Sequence, residues 1–225
     1  ENFAHSLNSN QLAAEGTIKA DSGTTSPFQT GYQNEAWLTT TPVSYVAKCF
    51  KTPDFTHKDS PALLVLSNLL RSCYLHGELR EKGGAYGGMA GYNPDEGIFS
   101  MLSYRDPHLA RTISVYNSAV EWLESGSFTD QDVDETILQT CSGMDTPMSP
   151  AGKAIVEYVN ERKGKSKTLR KKFREGVLNC TKNDLVRVGS EYINTRPSLA
   201  AVTSEEIIKR DAALLEANKL DIHAV

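Results

Sequence analysis

The sequence predicts an α+β fold, a mostly antiparallel sheet with helices packed on one face. The apolar patterns run in the order strand, helix, hairpin, several helices and strand, without the regular strand–helix alternation of parallel sheets. The chain has 225 residues, 39% of them hydrophobic and 23% charged, which is typical of a globular protein with a sizeable core. One large domain accounts for both observations.

The first predicted strand follows a polar lead-in. Residues 1–33 are rich in Ser, Thr, Asn, Gly and Gln and show little periodicity, so we expect an irregular lead-in or linker there. From residue 36 to residue 50 the pattern becomes β-like, and alternate positions from Val43 to Cys49 share one face.

A largely buried helix is predicted next. Ser60 as N-cap and Pro61 at the first helical position begin it, and Lys82-Gly83-Gly84 ends it, because glycine adopts the left-handed backbone that follows a last turn. Its buried face is predicted to hold Ala62, Leu63, Val65, Leu66, Leu69, Leu70 and Cys73.

A hairpin and further helices complete the pattern. Two strands, residues 86–93 and 97–104, flank an Asn-Pro-Asp-Glu-Gly loop. Helix start signals follow at Asp106, Thr129, Ser149 and Thr181. A short strand over residues 199–202 then precedes a small helix capped by Ser204.

Several classes of protein fit the sequence poorly. The four cysteines are far apart and form no Cys-x-x-Cys pair, which argues against a disulfide framework or a zinc knuckle; Cys73 and Cys141 are expected to be buried. No segment approaches the roughly 20 apolar residues of a membrane span, so no membrane partner is predicted. The chain begins without Met and without a leader pattern, and we interpret it as part of a longer protein.

The charge is unevenly distributed. Residues 162–174 carry eight basic side chains and no acidic one, although the formal net charge of the chain is −4. A nucleic-acid site would interleave aromatic side chains for base stacking, and this run offers only Phe173. We therefore predict a solvated face with a loop at 163–167 and no nucleic-acid partner; docking of a partner half is an alternative.

One segment could carry chemistry, Leu79-Arg80-Glu81-Lys82-Gly83-Gly84-Ala85-Tyr86-Gly87-Gly88. Arg80 ends the buried helix and Tyr86 follows a Gly-Gly turn, so both could donate hydrogen bonds from one side. Beside an open strand edge, two such donors could hold an extended peptide and stabilise an oxyanion. Spacing alone favours a purely structural interpretation, with Gly83 as a helix C-cap, Arg80 as a last-turn cation and Tyr86 as a strand aromatic.

This segment, followed by Ser103-Tyr104-Arg105-Asp106-Pro107, closely resembles the C-terminal half of presequence proteases, a branch of the pitrilysin and insulin-degrading-enzyme family. The resemblance extends from about Asn34 to near the end of the chain. It implies a peptidase domain over residues 34–225, with Arg80 and Tyr86 as the catalytic residues that this half supplies. Gly83, Gly84 and Gly87 would lie against the substrate.

The resemblance also implies what lies outside this chain. Family members carry an inverted His-x-x-Glu-His zinc motif in an N-terminal half, and they close around unstructured peptides such as cleaved presequences. No such motif occurs here, so we expect zinc in the full-length enzyme, none bound by this chain, and no activity of this chain alone. The location implied is an organelle matrix (mitochondrion or plastid) or the bacterial cytoplasm.

Two further expectations follow. The strand–helix unit with which the family domain begins is expected to be missing or reduced to residues 1–10, leaving the sheet one strand short. The alternative function is a non-catalytic pitrilysin-like scaffold or partner subunit, since such folds also serve as inactive subunits. The presence of both Arg80 and Tyr86 argues against the scaffold.

Overall fold

A computed structural model of the chain describes residues 31–215 and 218–224. The strands in this part are β1 (Asn34–Leu38), β2 (Ser44–Lys51), β3 (Gly87–Asn93), β4 (Ile98–Asp106), β5 (Ser198–Thr203) and β6 (Asp221–Ala224). The helices are α1 (Ser60–Leu69), α2 (Ala110–Asn117), α3 (Ala119–Glu124), α4 (Asp130–Met144), α5 (Pro150–Arg162), α6 (Lys167–Leu178), α7 (Lys182–Val188) and α8 (Glu205–Leu215). Two π-helical segments, Leu70–Glu81 and Gly189–Ile193, continue α1 and α7.

The strands form one six-stranded sheet in the order β3-β4-β2-β5-β1-β6. The pairs β3–β4, β2–β4 and β2–β5 are antiparallel, whereas β1 lies parallel to both β5 and β6. The predicted α+β class with a mostly antiparallel sheet is therefore confirmed. The expected loss of a first strand–helix unit concerns residues outside the described part and stays a prediction.

The sheet is covered by helices on one face. Along β2, Ser44, Val46, Lys48 and Phe50 are buried, while the residues between them lie on the opposite, half-buried face. Because successive side chains of a strand point to opposite faces, this alternation marks one desolvated and one open side. The core is the layer between the buried side of the sheet and the helices.

The long buried helix begins as predicted, but with a different cap. Asp59, rather than Ser60, occupies the N-cap position, and its side chain makes no capping hydrogen bond. Its carboxylate instead accepts hydrogen bonds from Arg187 at 2.6 Å and Tyr192 at 2.9 Å, and the Arg187 guanidinium holds the pKa of Asp59 below its ordinary value. Ser60 is left to pair with the Tyr92 hydroxyl at 2.8 Å.

The prediction that Cys73 is buried is wrong, because the helix changes its period after Leu69. In the π-helical segment the hydrogen bonds run from residue i to i+5, as in the 3.0 Å bond from Lys82 N–H to the Gly77 carbonyl. The wider turn transfers burial to Tyr74, Leu75 and Leu79 and leaves Cys73 exposed. Cys141 is buried as expected.

The π-helical segment packs very closely on edge strand β3. A Cβ added to Gly88 would lie 2.9 Å from both the Leu75 carbonyl oxygen and the Leu79 side chain. Only a glycine allows this approach without displacing the backbone, so Gly88 sets the height of the segment above the sheet.

The remaining helices agree with the sequence predictions only in part. The capping boxes Thr129–Asp132 and Thr181–Asp184 and the Ser149 cap are confirmed. The helix predicted after Asp106 is split into α2 and α3 at Ser118. Helix α6 was not predicted, because its basic sequence suggested only a solvated run. None of the helices in the described part combines the length and the apolar character that a bilayer crossing requires.

The burial of Lys48 in this core lowers the free energy of unfolding. Its side chain lies on the helix-covered face with 7% exposure, and its ammonium donates to Asn117 Oδ1 at 2.5 Å. Burial lowers its pKa from 10.5 to about 8. A lowered lysine pKa means that the unfolded chain binds the proton more tightly than the folded protein, so stability rises with pH between about 8 and 10.5.

We expect Lys48→Met to stabilise the fold by about 1–3 kcal/mol at pH 7, because it removes the desolvated ammonium and keeps the length of the side chain. The gain should shrink as the pH approaches 10. Urea unfolding at pH 7 and pH 9.5 measures both effects. Lys51→Met, at the exposed end of the same strand, is the control and should change stability little; a loss of stability in Lys48→Met at pH 7 would contradict the interpretation.

Candidate active site

The turn between the π-helical segment and β3 has a defined hydrogen-bond pattern. Gly84 adopts a left-handed φ of 73°, and its N–H donates to the Arg80 carbonyl at 3.0 Å. The next N–H, from Ala85, reaches back to the Leu79 carbonyl at 2.9 Å. The predicted helix end is thus present, and it ties the residues before and after the turn together.

Arg80 and Tyr86 stand exposed at the two ends of this turn. Tyr86 is 69% exposed, its N–H donates to the Arg105 carbonyl at 3.4 Å, and its ring meets the edge of Tyr104 at 5.8 Å between centroids. The Arg80 guanidinium contacts His76 Nε2 at 3.5 Å. Within the described part of the chain it forms no ion pair with a carboxylate, so its charge is available to a ligand.

The three glycines singled out in the sequence differ in their surroundings. Gly83 is buried, and a Cβ there would lie 2.5 Å from the Leu79 carbonyl oxygen and from Arg111 Nη1, so packing alone requires glycine. Gly84 is exposed, and its left-handed φ is the reason that glycine is favoured at this position. Gly87 has open space around it, since a Cβ there would lie 4.0 Å from its nearest neighbour, Tyr104 Cβ. Contact of these glycines with substrate stays a prediction.

Arg105 was not predicted as a site residue. It has a left-handed φ of 50°, and the pairing of β2 with β4 shifts register beside it, between Ser44 and Val46. This bulge exposes both Tyr104 and Arg105 and buries Asp106. A bulge can re-aim a side chain in this way, and a strained non-glycine residue beside exposed donors is a pointer to function.

The buried Asp106 is a structural group. Its carboxylate accepts hydrogen bonds from His108 N–H at 2.8 Å and from the Thr112 hydroxyl at 2.5 Å. The first residue before α2 is Leu109, so Asp106 stabilises the approach to the helix rather than its N-cap position. The prediction that Asp106 is the N-cap of this helix is therefore wrong, because the N-cap position is that of Leu109, three residues later.

The acidic groups beside the turn, Glu78 and Glu81, lie next to basic side chains. Glu78 binds Lys82 at 2.5 Å and Arg111 at 3.6 Å, and Glu81 lies 3.3 Å from His76. The last pair is five residues apart, a contact that the π-helical period makes. Throughout residues 31–215 and 218–224, no three His, Cys, Asp or Glu side chains are grouped so that they could hold a metal ion. The expectation that this chain itself binds no zinc stays a prediction.

The basic run 162–174 is largely paired within the fold. Arg170 and Arg174 make two-pronged contacts with Glu157 and Asp145. Lys163 and Lys165 both bind Asp95, in the hairpin loop. The predicted loop lies between α5 and α6, and its lysines attach it to the β3–β4 hairpin. The predicted lack of a nucleic-acid partner stays a prediction.

Comparison with known proteins extends the picture. The family model described as the PreP C-terminal domain matches residues 34–220. The mitochondrial presequence protease of Xenopus tropicalis is 40% identical over 152 residues, which are 68% of this chain and 14% of that protein. The mitochondrial presequence protease of Kluyveromyces lactis is 38% identical over 171 residues, which are 76% of this chain and 17% of that protein. The matched part of the chain thus spans about one seventh to one sixth of the length of these relatives.

Solved structures show the same fold at low sequence identity. A protease from Helicobacter pylori superimposes with a TM-score of 0.64 and 23% identity, covering 79% of this chain and 45% of that one. A peptidase M16 inactive domain from Pseudomonas fluorescens gives a TM-score of 0.61 and 14% identity, covering 78% of this chain and 45% of that one. The matched family model and the presequence-protease relatives establish that the chain belongs to the PreP C-terminal domain family, and the solved structures show that it has the fold of an M16 peptidase domain.

Proposed function

We propose that this chain is the C-terminal portion of a zinc metalloendopeptidase that degrades unstructured peptides such as cleaved presequences. Its peptidase domain is taken as residues 34–225, after a lead-in of residues 1–33. The observation that carries the proposal is the exposed pair Arg80 and Tyr86 on one turn, at the free edge of β3, in a chain of this family.

Each donor has a distinct part in peptide hydrolysis. The reaction breaks the C–N bond and adds water to the carbonyl carbon, and negative charge develops on the carbonyl oxygen. The Tyr86 hydroxyl donates a hydrogen bond to that oxygen, and the Arg80 guanidinium binds a neighbouring carbonyl of the peptide backbone. Zinc, held by another part of the protein, would supply activation of the attacking water.

The glycines and the strand edge position the peptide. β3 is an edge strand, so half of its backbone groups are free to pair with an extended peptide. Gly83 and Gly84 shape the turn, and Gly87 leaves room for a second backbone where the strand begins. A peptide lying along β3 would pass directly beside Tyr86.

The proposed partners follow from the missing zinc motif. The chain would complete an active site with an N-terminal, zinc-bearing half of the same enzyme, and it would be inactive alone. The relatives in Xenopus tropicalis and Kluyveromyces lactis are mitochondrial, which favours a mitochondrial matrix location over a plastid or bacterial one. No nucleic-acid or membrane partner is proposed.

Tyr86→Phe in the full-length protein should lower kcat for an unstructured, quenched-fluorescent peptide by roughly 100-fold and change KM less than about threefold, because the lost hydrogen bond forms in the transition state. Tyr158→Phe is the control, since Tyr158 is 64% exposed on α5, outside the site. Equal losses in kcat and peptide affinity would contradict the transition-state role. No hydrolysis by the unmutated full-length protein would favour the scaffold instead.

Arg105→Gly is expected to raise the stability of the fold and to weaken peptide binding. Glycine relieves the left-handed strain, so the free energy of unfolding should rise by about 1 kcal/mol. The exposed Arg105 guanidinium is lost, so KM for the same peptide should increase roughly threefold or more if Arg105 binds substrate.

The comparison variant is Lys219→Gly, whose residue also has a positive φ, of 42°. It should be stabilised in the same way without any change in KM. Denaturant unfolding and steady-state kinetics of both variants provide the test, and an unchanged KM in Arg105→Gly would remove Arg105 from the proposed site.

A further inference from the structure

A row of aromatic and apolar side chains crosses the open face of the sheet. The pairing register places Tyr45 opposite Val202, Val202 opposite Trp37, and Trp37 opposite His223. On the other side, Tyr104 continues the row to Tyr86. We call the whole row the aromatic stripe: Tyr86, Tyr104, Tyr45, Val202, Trp37 and His223.

Neighbouring rings in the stripe touch one another. Tyr86 and Tyr104 meet edge to face at 5.8 Å, Tyr104 and Tyr45 at 5.3 Å, and Trp37 stacks on His223 at 4.6 Å between centroids. Such contacts hold rings in fixed positions, so the surface is ordered before any ligand arrives.

The stripe is exposed although it is apolar. Tyr86 is 69% exposed, Tyr104 43%, Trp37 41% and Val202 39%. Between Trp37 and Tyr45 the surface forms a shallow groove of about 220 Å³, floored by small side chains such as Ala47 and Ala200. Exposed contiguous apolar surface on a folded protein is typical of a binding site.

The two ends of the stripe carry opposite charge. Arg80 and Arg105 are exposed at the Tyr86 end. At the far end, Glu35 and Asp221 are register partners beside Trp37, and the Trp37 indole donates to Glu35 at 3.1 Å. Neither carboxylate forms an ion pair within the part of the chain that the structure describes. This end is therefore suited to a cationic group.

We propose that the aromatic stripe binds an extended segment of a cationic peptide, distant from the bond held at Tyr86. Six strands spaced about 4.8 Å apart give a stripe roughly 24 Å long, which an extended chain covers with roughly seven residues. Large apolar side chains of the peptide pack on the rings, and a Lys or Arg roughly seven residues from the Tyr86 end reaches Glu35 and Asp221.

This proposal rests on the proposed function, because Tyr86 is taken as the point where the peptide is cut. It adds a requirement on the substrate that Arg80 and Tyr86 do not impose. Binding to the stripe needs no zinc and no hydrolysis, so it can be measured on this chain itself.

The test uses fluorescence anisotropy with a fluorescein-labelled, unstructured 12-residue peptide containing Phe, Leu and one Arg. Trp37→Ala should weaken binding roughly tenfold, because an exposed stacking ring is lost, while Trp37→Phe should stay within about threefold of the parent. Tyr158→Ala, which removes a more exposed aromatic ring on α5, should leave the affinity unchanged. Circular dichroism of each variant confirms that it is folded.

The peptide is varied in parallel. Glu35→Gln combined with Asp221→Asn should weaken the Arg peptide roughly threefold and leave an Arg→Gln peptide unchanged, as expected for an exposed charge pair. A peptide with Ser at the Phe and Leu positions should lose most of its affinity. Equal binding of this Ser peptide, or an affinity of Trp37→Ala within twofold of the parent, would overturn the proposal.

The same variants in the full-length protein distinguish the two proposals. One outcome would overturn this inference and leave the proposed function intact: Tyr86→Phe abolishes turnover, but Trp37→Ala leaves KM unchanged. If acrylamide also fails to quench the fluorescence of Trp37 before peptide is added, another domain covers the stripe. If Trp37→Ala raises KM while Tyr86→Phe leaves kcat unchanged, peptide binding by the aromatic stripe is supported and the proposed role of Tyr86 is wrong.

Discussion

The packing of α1 and its π-helical continuation onto one face of the sheet determines where most other parts of the molecule lie. This helix buries a continuous apolar face from Leu63 to Leu79. The close approach at Gly88 brings its end to the edge of the sheet, so the turn that follows emerges beside β3. In the described part of the chain the helices cover this face, whereas the opposite face carries half-buried and exposed side chains.

The candidate site is a consequence of that arrangement. The turn carries Arg80 and Tyr86 to the boundary between the helix layer and the open face. The bulge in β4 then adds Arg105 at the same boundary by reversing the alternation that would have buried it. The buried carboxylate of Asp106 is satisfied by internal hydrogen bonds, whereas the exposed Arg80 forms no ion pair with a carboxylate in the described part of the chain. Structural and chemical roles are thus divided between adjacent residues of one short segment.

The sequence foretold those features whose signals are local. The caps at Thr129 and Thr181 were found because side chain and backbone bond within one turn. Cys73 was placed wrongly because the change to π-helical bonding leaves no mark in an apolar pattern. Arg80 and Tyr86 were found through a family resemblance, whereas Arg105 and the aromatic stripe depend on the register between strands distant in sequence. Strand β6 carries too short a pattern to be recognised alone.

The placement of β1 has a consequence for how the chain reaches its folded state. This strand comes before every other described element, yet its two neighbours in the sheet, β5 and β6, are the last two of the described strands in chain order. During elongation on a ribosome, β1 remains unpaired while more than 160 further residues emerge, because the register partner of Asn34 is Leu199. Contacts of such sequence separation slow folding and expose unpaired edges. A nascent chain would therefore expose the unpaired edges of β1 to chaperones until β5 and β6 have been synthesised.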